Sequence, residues 1–471
     1  MSGIFSSLQA TATTIQAHSK SVELAGRNIA HMNDPNYARQ RVIYGSTVTI
    51  QTQQGPQSSA LTALGFEQIR DSLLDTQVLA EISHQKGLES GLLNLKRALA
   101  ALGDNIDRMN DAQFIDDITS SGGSLRESIG NFFNAFEGFS ARPNDPTTKQ
   151  ILLQQAQSLT EEFNRVNGRM ENIERAIEEQ IDDDVIRINR HLSDLDNLNK
   201  EIAKLELARP NSALDLRDQR QAKLEQLAEL MSFNVVEEAG NHGMVSIIVG
   251  ADDGTRHALV APGKQVNRVA VNEDGQITTV LNRDLVLDIQ SGSLQSAIDI
   301  RDNHIHTLRS NMDKLVESLV TEVNAVYSAT GNDFFEATGL TSASFRLASD
   351  LNFNTLLASA TGLSGANEIA RDIADLTGNE IAALDGNTFT QYAARLVTDL
   401  AQNVQDQGNR LNVQTSVREL IQSRRDEISG VSLDEEMSHM LLFQRAFQAS
   451  SRVFNTLDEM LNQLVNQVGI R

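Results

Sequence analysis

The chain has 471 residues, with 40 Lys and Arg against 63 Asp and Glu for a net charge of −23, a balance that argues against a nucleic-acid partner or an anionic membrane surface. Cysteine is absent, which excludes disulfides, thiolate nucleophiles and Cys-bound zinc. Apolar residues make up 40% but aromatics only 4%, so the core must rest on Leu, Ile, Val and Ala, as long helices allow.

The length corresponds to about three domains at ~150 residues each. The N-terminal segment has no basic region ahead of an apolar stretch, its first cation being Lys20, so it does not read as a cleaved secretory signal. No apolar run reaches the ~18 residues of a membrane-spanning helix. From Ile4, the residues Leu8, Thr11, Ile15, His18, Val22, Ala25 and Ile29 follow at alternating steps of four and three, an a/d heptad register. The column Leu8, Ile15, Val22, Ile29 is wholly apolar. The other column contains Thr11, His18 and Ala25, so the predicted helix is marginal alone, and His18 reads as a tolerated polar position rather than a ligand. Pro35 disfavours helical geometry in Asp34 and lacks an N–H, so Asn33-Asp34-Pro35-Asn36 should end this helix, with Tyr37 as a packing anchor.

A long helix is predicted over about 145–207, where Phe163, Val166, Met170, Ile173, Ile177, Ile181, Val185, Ile188, Leu192, Leu195, Ile202 and Leu205 recur mostly at helical spacing. The adjacent carboxylates Asp182, Asp183 and Asp184 fan around such a helix and read as a solvated face. Pro210-Asn211 breaks it, and Leu224, Leu227 and Met231 belong to the next helix. Over 233–289 the pattern turns to strands punctuated by Asp253-Gly254 and Asp274-Gly275, the second pair being a hairpin signal. Ile305, Leu308, Met312, Leu315, Leu319 and Val326 mark another helix. The stretch 328–385 is rich in small and polar residues and shows little periodicity, consistent with irregular packing or a partly mobile flank. A further helix follows near 390–428. Ser432 and Glu435 form an S-x-x-E capping box that opens the last helix. Along that helix Met440, Phe443, Phe447, Ser450, Phe454, Leu457, Leu461, Leu464 and Val468 step by three and four.

Catalytic and metal-binding patterns are absent. The nine histidines are scattered, and no HExxH, P-loop, GxGxxG or GxSxG occurs. His304 and His306 would face different sides of a helix. Ser120-Ser121-Gly122-Gly123-Ser124 has loop composition and is no nucleophile elbow. Neither a cofactor nor an enzymatic activity is expected. The terminal heptads can simply pair with each other, or can also mediate self-assembly. A two-helix seam cannot cover Phe443, Phe447 and Phe454, and each large apolar side chain left uncovered forgoes about 1.5–3 kcal/mol, which favours coverage by neighbouring subunits.

Residues 28–40 read NIAHMNDPNYARQ, which resembles the NIANxNTPGYSRQ signature after the first helix of bacterial flagellar rod, hook and hook-associated proteins. Asn28, Ile29, Ala30, Asn33, Pro35, Tyr37, Arg39 and Gln40 match it, whereas His31, Asp34, Asn36 and Ala38 depart. Asn36 for glycine is a mild change because Asn tolerates positive φ. The C-terminal GVSLDEEMSHMLLFQRAFQASSRVFNTLDEMLNQL resembles the closing helix of the same proteins, with Phe443 and Phe447 where tyrosines are usual. Segments 131–164, 214–238 and 292–302 narrow the likeness to the hook-associated branch, and together it spans nearly the whole chain.

The resemblance implies a structural adaptor that self-assembles as a junction between hook and filament. It implies export by the flagellar type III apparatus, without a cleaved signal, to the extracellular flagellum. Implied partners are further copies of the chain, the hook protein, the second hook–filament junction protein and an export chaperone covering the C-terminal helix. No nucleic acid and no membrane insertion are expected. The expected fold is mainly α with a β insertion, elongated, with terminal helices in a coiled coil, a long-helix shaft and a small outer β-domain. The expected domains are 1–55 with 430–471 (assembly), 56–232 with 292–429 (shaft) and 233–291 (inserted β). The expected assembly seam comprises Ile4, Leu8, Ile15, Val22, Ile29, Met440, Phe443, Phe447, Phe454, Leu457, Leu461 and Leu464. The competing readings are another flagellar axial protein, such as a hook or rod subunit, and a cytoplasmic coiled-coil binding module.

Overall fold

The computed structural model describes all residues except 1, 46–48, 53–54, 59, 104–122, 238–239, 362, 364 and 465–471. Val468 of the terminal heptad and Ser120-Ser121-Gly122 therefore lie outside the described residues. In chain order the elements are α1 (Ser2–Ala30), β1 (Gln40–Gly45), β2 (Thr49–Thr52), β3 (Gly55–Ser58), β4 (Thr62–Gln68), α2 (Ser72–Leu102), α3 (Gly123–Ala141), α4 (Pro146–Ala208) and α5 (Leu214–Ala228). Then come β5 (Asn234–Glu237), β6 (Val245–Ala251), β7 (Arg256–Val260), β8 (Val269–Val271), β9 (Ile277–Thr279), β10 (Leu287–Asp288), α6 (Ser293–Asp299), a π-helical turn (Ile300–Ile305), α7 (His306–Tyr327), α8 (Glu368–Asp375), α9 (Phe389–Ser429) and α10 (Leu433–Gln463). The fold is mainly α with a β insertion.

The chain divides into two compact units, the first made of Met1–His84, Val185–Gln290 and Gln414–Arg471. In it α1 packs along α10. Between these helices the chain forms strands that the sequence reading did not anticipate: β1 pairs antiparallel with β4, Val42 opposite Phe66, and β2 pairs with β3. Their sequences, QRVIYG, TIQT, GPQS and TALGFEQ, lack the regular alternation of large apolar residues that marks a strand facing a core. In the insertion, β6 is paired antiparallel with β5, β7 and β10. Its Val245, Ile247, Val249 and Ala251 are all buried. Both Asp-Gly pairs sit in turns, with Gly254 at φ +78° and Gly275 at φ +75°. The latter joins β8 to β9 in the expected hairpin.

The second unit comprises Gln85–Asp184 and Ser291–Val413. Phe132, Phe133, Phe136 and Phe139 of α3 are fully buried at helical spacing. Phe132 and Phe136 meet Phe334 at 5.8 and 5.2 Å between ring centres, and Phe335 meets Phe345 at 4.8 Å. The aperiodic stretch 328–385 thus supplies core aromatics through an irregular backbone. Asn324 holds that backbone: its Oδ1 accepts from the amides of Phe334 and Phe335 at 3.0 and 2.9 Å, and its Nδ2 donates to the Phe335 carbonyl at 2.8 Å.

Two expectations about α4 need correction. Asp184 is buried rather than solvated, and Ser293 Oγ donates to its Oδ2 at 2.6 Å. Leu205 does not face the core. The buried position beside it is Glu206, whose carboxylate receives two N–H bonds from Arg217, from Nε at 2.9 Å and from Nη2 at 2.8 Å. A bidentate charged pair of this kind compensates burial that a lone carboxylate could not tolerate.

Candidate assembly interface

Helix α1 ends at Ala30, and the backbone turns through Asp34 and Tyr37 before entering β1. The matched motif then folds back on the end of its own helix. Asn28, 1% exposed, uses its whole amide. Its Oδ1 accepts from the Tyr37 hydroxyl at 2.7 Å and from the Gln40 amide at 3.2 Å, while its Nδ2 donates to the Gln40 carbonyl and to Glu436 Oε2, both at 3.0 Å. Tyr37 is buried, stacked on His31, and burial raises its phenol above the ordinary value. Asn28 near the end of α1 thus meets Glu436 in the first turn of α10, so the two helices run antiparallel.

Arg39 completes this knot. Its Nε lies 2.7 Å from Glu436 Oε1, its Nη1 donates to Glu435 Oε2 at 2.8 Å, and its amide donates to the Ser429 carbonyl at 2.8 Å. Ser432 does stand at the N-cap of α10, but its side chain makes no capping bond. The expected capping box is not formed, and Glu435 is instead engaged by Arg39. Gln40 Nε2 reaches Asp215 Oδ1 at 3.5 Å, and Arg27 Nη2 pairs with the same carboxylate at 2.9 Å. Arg425, 4% exposed, donates to the Pro35 carbonyl at 3.2 Å and to Glu225 at 2.6 Å. Of the remaining motif residues, Ile29 is half-buried, while Ala30, Asn33 and Pro35 are exposed.

A second carboxylate cluster clamps the same loop. Arg70 Nη2 donates to the Asn36 carbonyl at 2.7 Å and to Asp218 Oδ1 at 2.6 Å, and its Nη1 to Asp75 at 3.3 Å. Asp218 Oδ2 and Asp75 Oδ1 are buried without a hydrogen-bond partner among the described residues. Burial pushes the Asp218 carboxyl up to about 6 despite the Arg70 guanidinium beside it. A folded value above the unfolded one means the native state binds more protons between about pH 4 and 6. This group's contribution to stability is then fully present below the unfolded value and is lost as pH rises through about 6, by roughly 3 kcal/mol for two units. Asp218→Asn removes that slope. In thermal melts from pH 5 to 7.5 the stability difference, native minus variant, should shrink with rising pH; a constant difference would contradict the assignment.

The heptad seam is placed as follows. Ile4, Leu8, Ile15, Val22 and Ile29 are all half-buried, and α1 buries instead Ala10, Ala17, Ser21, Leu24, Ala25 and Asn28. Most of these positions carry small or polar side chains, and Ser21 is covered from β1, where its hydroxyl meets that of Tyr44. On α10, Met440, Phe443, Phe454, Leu457 and Leu461 are half-buried, whereas Phe447 (36%) and Leu464 (37%) remain exposed. Met437, Leu441, Leu442, Val453 and Met460 are exposed as well, an apolar surface that the seam register does not include. Among the described residues no group of three His, Asp or Glu is placed to hold a metal, and no helix is long and apolar enough to cross a membrane.

The family model of the flagellar hook-associated protein FlgK helical domain matches residues 112–340, and that of the flagellar basal body rod FlgEFG protein C-terminal region matches 422–468. The chain is 24% identical to flagellar hook-associated protein 1 of Bacillus subtilis, an alignment covering 100% of this chain and 99% of the relative. Its identity to flagellar hook-associated protein 1 of Escherichia coli is 20%, over 96% of this chain and 98% of the relative. The flagellar hook junction protein FlgK from Burkholderia pseudomallei aligns with a TM-score of 0.45 at 19% identity, over 55% of this chain and 46% of that one.

Proposed function

Because the chain is a homologue of flagellar hook-associated protein 1 and carries its helical domain, we propose that it works as a structural subunit at the hook–filament junction of the bacterial flagellum. Its role is to assemble, not to catalyse. The observation that carries this reading is the antiparallel α1–α10 pair, knotted at one end through Asn28, Arg39 and Glu436 and left half-covered along its apolar length. Covering that length takes other chains. The occupants we assign are neighbouring copies, with hook protein and the second junction protein at the two ends of the assembly. Residues 1–55 and 430–471 form the assembly domain in this reading, 56–232 and 292–429 the shaft, and 233–291 the outer part. A cytoplasmic chaperone shields the C-terminal helix before type III export, since an apolar stripe this large would otherwise associate early.

Deleting the gene should leave hooks without filaments and send flagellin into the medium, with the intact coding sequence restoring filaments. In a filament-deficient strain the full-length chain itself should be recovered from the medium. Retention in the cytoplasm would favour a coiled-coil binding module instead.

A further inference from the structure

The heptad register of α1 contains one titratable group, His18. The ring is half-buried, and its Nδ1 is enclosed without a hydrogen-bond partner among the described residues. The β1–β4 hairpin covers this stretch of the helix. Thr14 Oγ1 accepts from the Leu61 amide at 3.4 Å, and the Ser21 hydroxyl meets that of Tyr44. Helix α10 runs antiparallel along the same stretch. Asn28 reaches Glu436, and a Cβ at Gly26 would lie 3.9 Å from Met440 Cε, so the register brings His18 level with residues 446–448.

No carboxylate stands at this level on any of the three elements. On α1 the one acidic residue is Glu23, exposed and five positions on, beyond the three or four that bring helical side chains together. Lys20 is exposed as well. Residues 42–66 of the hairpin carry no charge, and Arg41 and Glu67 at its base pair with each other. On α10 no acidic residue lies between Glu436 and Asp458, and the charges nearest the level of His18 are the exposed cations Arg445 and Arg452. Glu436, with His439 beside it and Arg39 bound to it, is about 15 Å further along the pair. Asp215 of α5 is paired with Arg27. An imidazolium at His18 would thus have no counter-charge, and an enclosed N–H without an acceptor. Burial alone holds the ring below its ordinary value of 6.5. The native pair then binds fewer protons than the open one, so it is fully stable above about pH 6.5 and weakens as pH falls. Asp218 has the opposite sign, its contribution being lost as pH rises.

We propose that His18 is an acid-sensitive latch on the terminal helices: its neutral ring lets α1 lie along α10 and the hairpin, and its imidazolium releases α1. The latch belongs to the single chain and is independent of the junction role. The test is amide hydrogen exchange of the full-length chain at pH 7.5 and 5.0, each corrected for the intrinsic rate at that pH. Protection of α1 and of α10 should fall severalfold at pH 5.0, while β6 shows no such fall. The upper limit is about thirtyfold, set by the roughly 1.5 pH units between 5.0 and the ordinary histidine value. His18→Gln, neutral at both pH values, should stay protected at pH 7.5 and lose nothing at 5.0. Ser450→Glu puts a carboxylate at a half-buried position within one turn of that level, and the fall should shrink. Taking the ratio between the two pH values within each chain cancels any change a substitution makes at neutral pH. No fall in the unsubstituted chain, or an undiminished fall in either variant, would overturn the proposal.

Discussion

Cells carrying Phe447→Asp together with Phe454→Asp are expected to build hooks that end bare, to lose flagellin to the medium and to be non-motile. The two positions are seven residues apart on α10, so they share one column of its apolar stripe. Phe447 is 36% exposed within a single chain and Phe454 half-buried, which means that an isolated chain tolerates polar groups there far better than an assembly does. On assembly each lost phenylalanine forfeits about 1.5–3 kcal/mol of burial. Each introduced carboxylate adds the cost of desolvating an unpaired charge. For two positions per subunit the loss is several kcal/mol at least, which corresponds to more than a thousandfold in an association constant.

The soluble chain should nevertheless melt near its normal temperature. The buried apolar residues of the second unit, including Met312, Leu315 and Phe132, contain neither position. Because a chaperone on the same helix would also be affected, secretion of the variant has to be followed in parallel. A variant that is secreted and still supports full filaments would show that this stripe does not hold the assembly together.

Periodicity carried most of the helical architecture. The run from Phe163 to Ile202 and the pair Asp274-Gly275 were legible because a single local rule, helical spacing or turn chemistry, decided each. The stripe that α1 buries was harder to read. Ala10, Ala17, Ser21 and Asn28 are small or polar, and a hydrophobic register passes over them in favour of Leu8, Ile15 and Val22. The small residues are covered, and the large ones of the register are left half-covered. The stretch 328–385 gave little periodic signal, yet Phe334, Phe335 and Phe345 are buried in the core. Aromatics in a stretch otherwise poor in large residues were the available clue.

The interface was half legible for a different reason. Asn28, Tyr37, Arg39 and Gln40 stood out by resemblance within one short segment. Their partners Asp215 and Glu436 lie 175 and 408 positions from the residues they bind, Arg425 reaches the Pro35 carbonyl across 390, and Arg70 and Asp218 clamp the same loop from two further segments. A single charged residue on an amphipathic helix looks identical whether it is solvated or buried in such a knot. Glu206 and Asp184 show the same limit, since acidic side chains on a long charged helix read as solvent-facing until a partner from another element is in place.

The knot itself should govern whether the two terminal helices stay together in the free chain. Glu436→Ala removes a carboxylate that both Arg39 Nε and Asn28 Nδ2 contact, in a site where Glu436 is 3% exposed. Arg39 keeps Glu435 as a carboxylate partner and Asn28 keeps the Gln40 carbonyl, so the cost is that of two hydrogen bonds to a charged group, about 3 kcal/mol. The α1–α10 pair has little surplus to absorb that, its apolar length being only half-covered. The expected result is local rather than global: amides of α1 and α10 should exchange at nearly unprotected rates while those of β6 keep their protection. Glu436→Gln retains an acceptor for Asn28 and loses only the ion pair, so its loss of protection should be smaller, about 1–3 kcal/mol. Asn28→Ala, which leaves Glu436 and Arg39 to each other but strands the Tyr37 hydroxyl and the Gln40 amide, should fall between them. If hydrogen exchange in α1 and α10 were unchanged in Glu436→Ala, the hold of the two helices on one another would have to come from the apolar stripe alone, and the matched motif would serve only to turn the chain.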